Sequence, residues 1–127
     1  MAFGKTLIIL VVAAVSLLFI HVADAQLGAM TEIEDVEHNK EVQDLGKYSV
    51  DEYNNKLGGG AASKNMLLAF VEVVAAEKQI VSGTKYYLKI AATEKGVKKM
   101  FESQVVVKPW MKKAPKTMLG FRRYTGN

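Results

Sequence analysis

The sequence predicts an α+β fold, in which an antiparallel β-sheet of four to five strands wraps around one amphipathic α-helix. Two observations support this prediction. Small and apolar residues recur at helical spacing between positions 42 and 57, whereas the apolar residues after position 65 alternate with a period of two, as strands do. Strand segments joined by short turns pair as antiparallel hairpins, and a single helix can cover one face of such a sheet.

The first 25 residues are predicted to be a secretory signal peptide. Lys5 precedes an apolar run over residues 7–20, and Ala-Asp-Ala at 23–25 forms a small-x-small cleavage pattern. A retained membrane anchor is the alternative, but the run is shorter than the roughly 20 residues that cross a bilayer. We therefore expect one domain over residues 26–127, secreted to the extracellular space or a vacuole and not held in a membrane after cleavage.

Composition removes several classes of function. The 127-residue chain has no cysteine, so it can build neither a disulfide framework nor a cysteine nucleophile. His38 is the single histidine after the signal peptide, which leaves little for a catalytic triad or a zinc site. The acidic residues between positions 32 and 37 are interpreted as a hydrated segment, because working carboxylates need an apolar pocket. We predict no enzymatic activity, no metal and no cofactor.

The net charge of +4 is interpreted as a property of a solvated surface. Acidic and basic residues interleave over most of the chain, and only the C-terminal end is locally basic. No nucleic-acid partner is expected.

The N-terminal segment and the helix come first in the chain. Residues 26–37 lack an apolar period and are expected to be a mobile trunk that leads into a short strand or turn. The helix is predicted to follow and to end at the three glycines at 58–60. Its predicted buried face consists of Val42, Leu45, Gly46, Ser49, Val50, Tyr53 and Leu57.

Strands are predicted to fill the rest of the chain. Residues 79–83 separate the first two strands, and residues 93–96 separate the second from the third. The third strand is expected to stop at Pro109, which cannot donate to a ladder. The predicted strands are residues 65–78, 84–92, 101–108 and 118–123.

Two of the connections carry apolar residues where polar ones are usual. Val81 lies in the turn at 79–83, and Trp110, the only tryptophan, follows Pro109 just beyond the third strand. If the strands pair in order, both connections and the N-terminal trunk project from the same end of the sheet. Rigid apolar tips bury area at a low cost in entropy, so we predict a binding edge there.

These motifs resemble those of the cystatins. Residues 79–83, Gln-Ile-Val-Ser-Gly, match the Gln-Xaa-Val-Xaa-Gly motif, and Pro109-Trp110 is similar to the Pro-Trp of the second hairpin. Leu-Gly-Ala at 27–29 resembles the glycine-bearing trunk, although many plant members have a second glycine in place of the alanine. Residues 45–54 resemble the helix signature of plant cystatins, and the lack of cysteine also fits the plant group. The glycines at 58–60 depart from the usual pattern.

The resemblance implies a reversible, tight-binding inhibitor that fills the active-site cleft of papain-like cysteine proteases, endogenous or from pests and pathogens, as in plant defence. A monomer is expected, and a domain-swapped dimer stays open because a strained hairpin can exchange between copies. The protease-binding residues that it implies are Leu27, Gly28, Ala29, Gln79, Ile80, Val81, Ser82, Gly83, Pro109 and Trp110.

Two other functions stay open at this point. A fold alone does not determine function, so the chain could be a cystatin-fold binding or storage module without inhibitory activity. The second alternative is a basic binder of membranes or other anionic surfaces. It would use Lys112, Lys113, Lys116, Arg122 and Arg123.

Overall fold

A computed structural model of the chain describes residues 28–58 and 64–126. Over these residues it shows one long helix against a five-stranded antiparallel sheet, in which each strand pairs with the next along the chain. This confirms the predicted α+β fold. The elements are β1 (Met30–Glu32), a 3-10 turn (Val36–His38), α1 (Lys40–Leu57), β2 (Leu68–Val81), β3 (Gly83–Glu94), β4 (Val97–Val107) and β5 (Lys116–Arg123).

Three of the predicted features lie outside the described residues: the signal peptide, Leu27 and the loop glycines at 59 and 60. Among the residues that are described, no helix has the length and apolar character needed to cross a membrane.

Helix α1 begins two residues before the predicted apolar face, because its N-terminus is capped. The side chain of Asn39 accepts a hydrogen bond from the backbone N–H of Val42 (3.1 Å), which satisfies one of the free donors of the first turn. At the other end, Gly58 has φ 80°, a conformation that favours glycine. The predicted face is buried from Val42 to Val50, whereas Tyr53 and Leu57 are only half-buried.

Small residues let α1 lie close to the sheet. A Cβ atom at Gly46 would overlap the side chain of Val73 and come within 2.9 Å of Phe70 Cε1. One turn later the hydroxyl of Ser103 donates to that of Ser49 (2.7 Å), which donates in turn to the carbonyl of Leu45 (3.0 Å). The two serines are buried and fully bonded, so they join helix to sheet without the cost of an unpaired polar group.

Two amide side chains of α1 also bond to the backbone of β2 where β1 does not cover it. Gln43 donates to the carbonyl of Val73 (3.0 Å) and accepts from its N–H (2.9 Å). Asn54 makes the same pair of bonds with Leu68, both at 2.9 Å. Gln43 and Asn54 are eleven residues apart, which is about 16 Å along the helix axis. Leu68 and Val73 are five residues apart, which is about 16 Å along the strand, so each amide lies beside the strand residue to which it bonds. They take the place of a neighbouring strand.

The strand boundaries differ most from the prediction at β2 and at the start of β4, and elsewhere by one or two residues. Strand β2 starts and ends three residues later than predicted, because residues 64–67 form a turn before it and the following hairpin is tighter than expected. Strand β4 starts at Val97, four residues early, because the turn before it contains only Lys95 and Gly96. Both have positive φ (54° and 78°), which matches the twist of a two-residue hairpin.

We expect Asn54→Ala to lower the free energy of unfolding by about 1–3 kcal/mol, because it leaves the N–H and C=O of Leu68 without partners at a half-buried site. Urea denaturation measures the change. Asn55→Ala is the matched control, since Asn55 is exposed on the same helix and its side chain makes no hydrogen bond in the described structure. Equal losses in the two variants would contradict the role given to Asn54.

Candidate binding edge

The predicted binding edge is a single end of the sheet. We define it as residues 28–30, 78–85 and 107–118. Met30 of β1 lies opposite Gln79 of β2. Further along, Val107 at the end of β4 lies opposite both Thr84 of β3 and Lys116 of β5. The strands pair in order, so the trunk, the β2–β3 turn and the β4–β5 loop lie side by side, as expected for that pairing.

The β2–β3 turn is shorter than the five-residue motif suggests. Ile80 pairs with Thr84 and Val81 with Gly83, so only Ser82 is left outside the ladder. The expectation that Val81 occupies the tip is thus corrected: Ser82 is the tip, and Val81 is the last paired residue before it. Ile80 and Val81 remain 43% and 39% exposed.

Gly83 is required by both conformation and space. Its φ is 100°, a value that residues with a side chain rarely adopt. A Cβ atom there would also lie 2.5 Å from the carbonyl oxygen of Val107 and 2.9 Å from Lys108 Cγ. The glycine therefore lets the β2–β3 turn pack directly against the end of β4, next to the β4–β5 loop.

The β4–β5 loop presents Trp110 to solvent. The N–H of Met111 donates to the carbonyl of Lys108 (2.9 Å), which closes a β-turn with Pro109 at its second position, where proline is favoured. The N–H of Lys108 donates to the carbonyl of Pro115 (2.7 Å) and closes the base of the loop. Trp110 is 62% exposed and Met111 44%. Met111 was not among the predicted site residues, although an apolar residue directly after the tryptophan was visible in the sequence.

The trunk is tied to the first hairpin by Gln79. Its side-chain N–H donates to the carbonyl of Gly28, which has φ 97°, while Ala29 next to it is exposed. The hydroxyl of Tyr87 donates to the side-chain oxygen of Gln79 (2.8 Å) and fixes the orientation of the amide. Tyr87 was not among the predicted residues. Its signal was weak, because it lies diagonally opposite Gln79 across the β2–β3 ladder.

Two tyrosines support the edge from the helix side. Tyr86 donates to Glu41 of α1 (2.6 Å), and burial together with this bond raises the pKa of Tyr86 to about 12. Tyr48 of α1 donates to the carbonyl of Lys116 (3.2 Å), and its pKa is raised mainly by burial and then by the charge of Glu52. The raised pKa values extend further into the alkaline range the pH over which both hydroxyls stay protonated and so remain donors.

Among the described residues, no three or more His, Asp or Glu side chains are grouped so that they could hold a metal ion. His38 is exposed, and its Nδ1 bonds to Asp35 Oδ1 (2.7 Å). That bond and the nearby negative charges raise the pKa of His38, but it lies on the 3-10 turn and not at the binding edge.

Comparisons with known proteins show which family the chain resembles. A family model described as "Aspartic acid proteinase inhibitor" matches residues 33–123. The chain is 49% identical over 86 residues to "Cysteine proteinase inhibitor 5" of Oryza sativa subsp. japonica, covering 68% of this chain and 57% of the relative. It is 42% identical over 106 residues to "Cysteine proteinase inhibitor 4" of the same rice, covering 78% and 65%. It is also 37% identical over 106 residues to "Cysteine proteinase inhibitor 2" of Arabidopsis thaliana, covering 75% of this chain and 71% of that relative. This chain belongs to the plant cystatin family.

The cystatin fold is also found in a solved structure. Salivary cystatin from the soft tick Ornithodoros moubata superposes with a TM-score of 0.57 at 16% identity, covering 76% of this chain and 97% of that one. At 16% identity, the similarity to the tick protein shows a shared fold and nothing about function. The two rice alignments span less than two thirds of each relative, so this plant cystatin corresponds to part of those longer chains.

We expect Tyr87→Phe to loosen the trunk, because it removes the hydroxyl that holds the Gln79 amide in place. A net loss of about 1 kcal/mol for one hydrogen bond corresponds to roughly five-fold faster amide hydrogen exchange in β1. Tyr124→Phe is the control, since the Tyr124 hydroxyl makes no hydrogen bond in the described part of the chain. Unchanged amide exchange in Tyr87→Phe would show that the Tyr87 hydroxyl does not hold the trunk in place.

Proposed function

We propose that this cystatin is a reversible inhibitor of papain-like cysteine proteases and that it acts by filling the active-site cleft with the binding edge. One observation carries the proposal. Val81 and Trp110, two exposed apolar side chains on different connections, stand beside the trunk at one end of a rigid sheet. The names of the rice relatives support the choice of cysteine proteases.

The edge is pre-formed, which reduces the cost of binding. The β2–β3 turn is held by ladder pairs up to Ser82, and the β4–β5 loop is closed at its base by the bond between Lys108 and Pro115. Little backbone entropy is then lost on association, so a small apolar area can bind tightly. At Gly28 the trunk is held to the first hairpin by the bond from the Gln79 side chain.

The same ladder explains how the edge could enter a cleft without being cleaved. A protease acts on an extended segment whose carbonyl is free to be attacked. Ile80 and Val81 are instead committed to pairs with Thr84 and Gly83, and the chain reverses at Ser82. In this proposal Val81 covers the catalytic region, Trp110 lies on the primed side, and Gly28 lets the trunk follow the unprimed subsites with Leu27 at its end.

The proposed setting is the secretory pathway. The predicted signal peptide would deliver the chain from Gln26 onward to the extracellular space or a vacuole. Proteases of pests or pathogens and endogenous proteases are both candidate targets there.

We expect Trp110→Ala to raise the inhibition constant for papain about 30-fold, which corresponds to a loss of roughly 2 kcal/mol at an anchor residue. Val81→Ala should raise it about ten-fold, because two buried carbon atoms are lost. Val97→Ala is matched to Val81→Ala: Val97 is 57% exposed but lies at the opposite end of the sheet. Inhibition that depends equally on Val81 and Val97 would reject the edge as the contact surface.

Removal of the residues through Gly28 should weaken inhibition mainly by faster dissociation. The trunk adds contacts after the two hairpins have docked, so its loss leaves the association rate nearly unchanged. Progress curves of papain inhibition separate the two rate constants. A slower association with unaltered dissociation would contradict this order of events.

Two other functions are separated by the same assays. A cystatin-fold module without inhibitory activity would leave papain active even at high inhibitor concentration. The description of the matching family model makes aspartic proteases a second candidate class of target. Parallel assays with papain and pepsin on fluorogenic substrates decide among the three, and sub-micromolar inhibition of papain is the result expected here.

A further inference from the structure

We propose that the lysines around the binding edge select cysteine proteases whose cleft is bordered by acidic residues, an inference that rests on the proposed inhibitory function. The described residues that form the edge, 28–30, 78–85 and 107–118, contain no aspartate or glutamate. They contain six lysines: Lys78, Lys85, Lys108, Lys112, Lys113 and Lys116.

These lysines carry unpaired charge. None of the six makes a salt bridge with any residue of the described structure, whereas every cation–carboxylate pair that is present lies elsewhere, on the 3-10 turn, on α1 or on the strands away from the edge. Those pairs are His38–Asp35, Lys40–Asp44, Lys47–Asp51, Lys99–Glu94, Arg122–Glu102 and Arg123–Glu94. A net charge of +4 for the whole chain therefore understates the local charge at this end.

The unpaired lysines lie beside the apolar anchors. Lys112 and Lys113 are exposed and follow Trp110 by two and three residues in the same loop. Two others are held over aromatic rings: Lys85 Nζ is 4.9 Å from the ring centre of Tyr87, and Lys116 Nζ is 5.5 Å from that of Tyr48. Contacts of this kind keep a cation in place without neutralising it.

Charge of one sign around a docking surface acts on the rate and the choice of partner. Complementary charge raises association rates by about 10- to 1000-fold at low salt, and like charge suppresses encounters. An acidic rim next to the cleft would meet the lysines as the anchors enter, while a basic rim would repel them. The occupant that this edge fits is therefore a protease with an acidic rim.

An anionic membrane is a less suitable partner for the same lysines. Proteins that lie on a bilayer bury a broad apolar face of an amphipathic helix. The exposed large apolar residues of the edge instead lie on three narrow segments: Met30 on β1, Ile80 and Val81 at the first hairpin, and Trp110 and Met111 in the β4–β5 loop. That arrangement suits a narrow cleft, and a vesicle experiment tests the other case.

The test compares two double variants with the same loss of charge. Lys112→Gln with Lys113→Gln removes two charges from the edge, and Lys95→Gln with Lys98→Gln removes two exposed charges from the turn region at the opposite end. Association and dissociation rates are measured by stopped flow with one papain-like protease that has an acidic rim and one that has a basic rim. Buffers of about 20 mM and about 500 mM salt switch the interaction between weakly and strongly screened.

The expected result is specific to one variant, one enzyme and one rate. At low salt the edge variant should associate with the acidic-rim protease roughly three- to ten-fold more slowly than the parent, with dissociation little changed and the difference abolished at high salt. The control variant should match the parent. Equal rates and salt dependence for the edge and control variants would overturn the inference, and so would equal association of the parent with both proteases at low salt.

One outcome would reject the proposed function itself. If the parent inhibits neither protease, the proposed function has failed and this inference falls with it.

A separate experiment measures sedimentation with vesicles of phosphatidylcholine and phosphatidylglycerol. Salt-sensitive binding by the parent that is lost in Lys112→Gln with Lys113→Gln, together with unchanged protease association, would overturn the acidic-rim partner and assign the lysines to an anionic membrane.

Discussion

The close contact between α1 and the sheet is the constraint on which the rest of the structure depends. It exists because Gly46 leaves room for Val73, and because Gln43 and Asn54 replace the missing neighbour of β2. An uncovered strand edge is open to water and to other chains. Here the helix supplies both the apolar cover and the hydrogen bonds, so one packing event fixes the position and the register of the longest strand.

This packing gives the plant-cystatin helix signature a structural meaning. Within residues 45–54, the glycine, the serine and the final asparagine each make or permit a contact with the sheet. None of these lies at the binding edge. These residues hold α1 against the sheet, and the sheet holds the three segments of the edge side by side. Gly83 has a similar role where the first hairpin packs against β4.

The edge joins two kinds of interaction that act at different stages of association. Unpaired lysines act over a distance comparable to the Debye length, before contact. The apolar side chains of Val81 and Trp110 act after contact, when water is expelled. Between them, Tyr87 and Gln79 hold the trunk beside the hairpins. Different residues therefore control the association rate, the binding affinity and the pre-organisation of the trunk.

The sequence by itself determined the fold class, most of the buried face of the helix and the exposure of Trp110, because periodicity, glycine and proline are local signals. It could not place Ser82 at the tip in place of Val81, nor find the bonds of Gln43, Asn54 and Tyr87. These depend on register and on the helix position, which bring together residues 8 to 30 apart in the chain. The common end of the three segments was conditional on ordered pairing, and only the assembled sheet decided it, because pairing is set by contacts between distant segments.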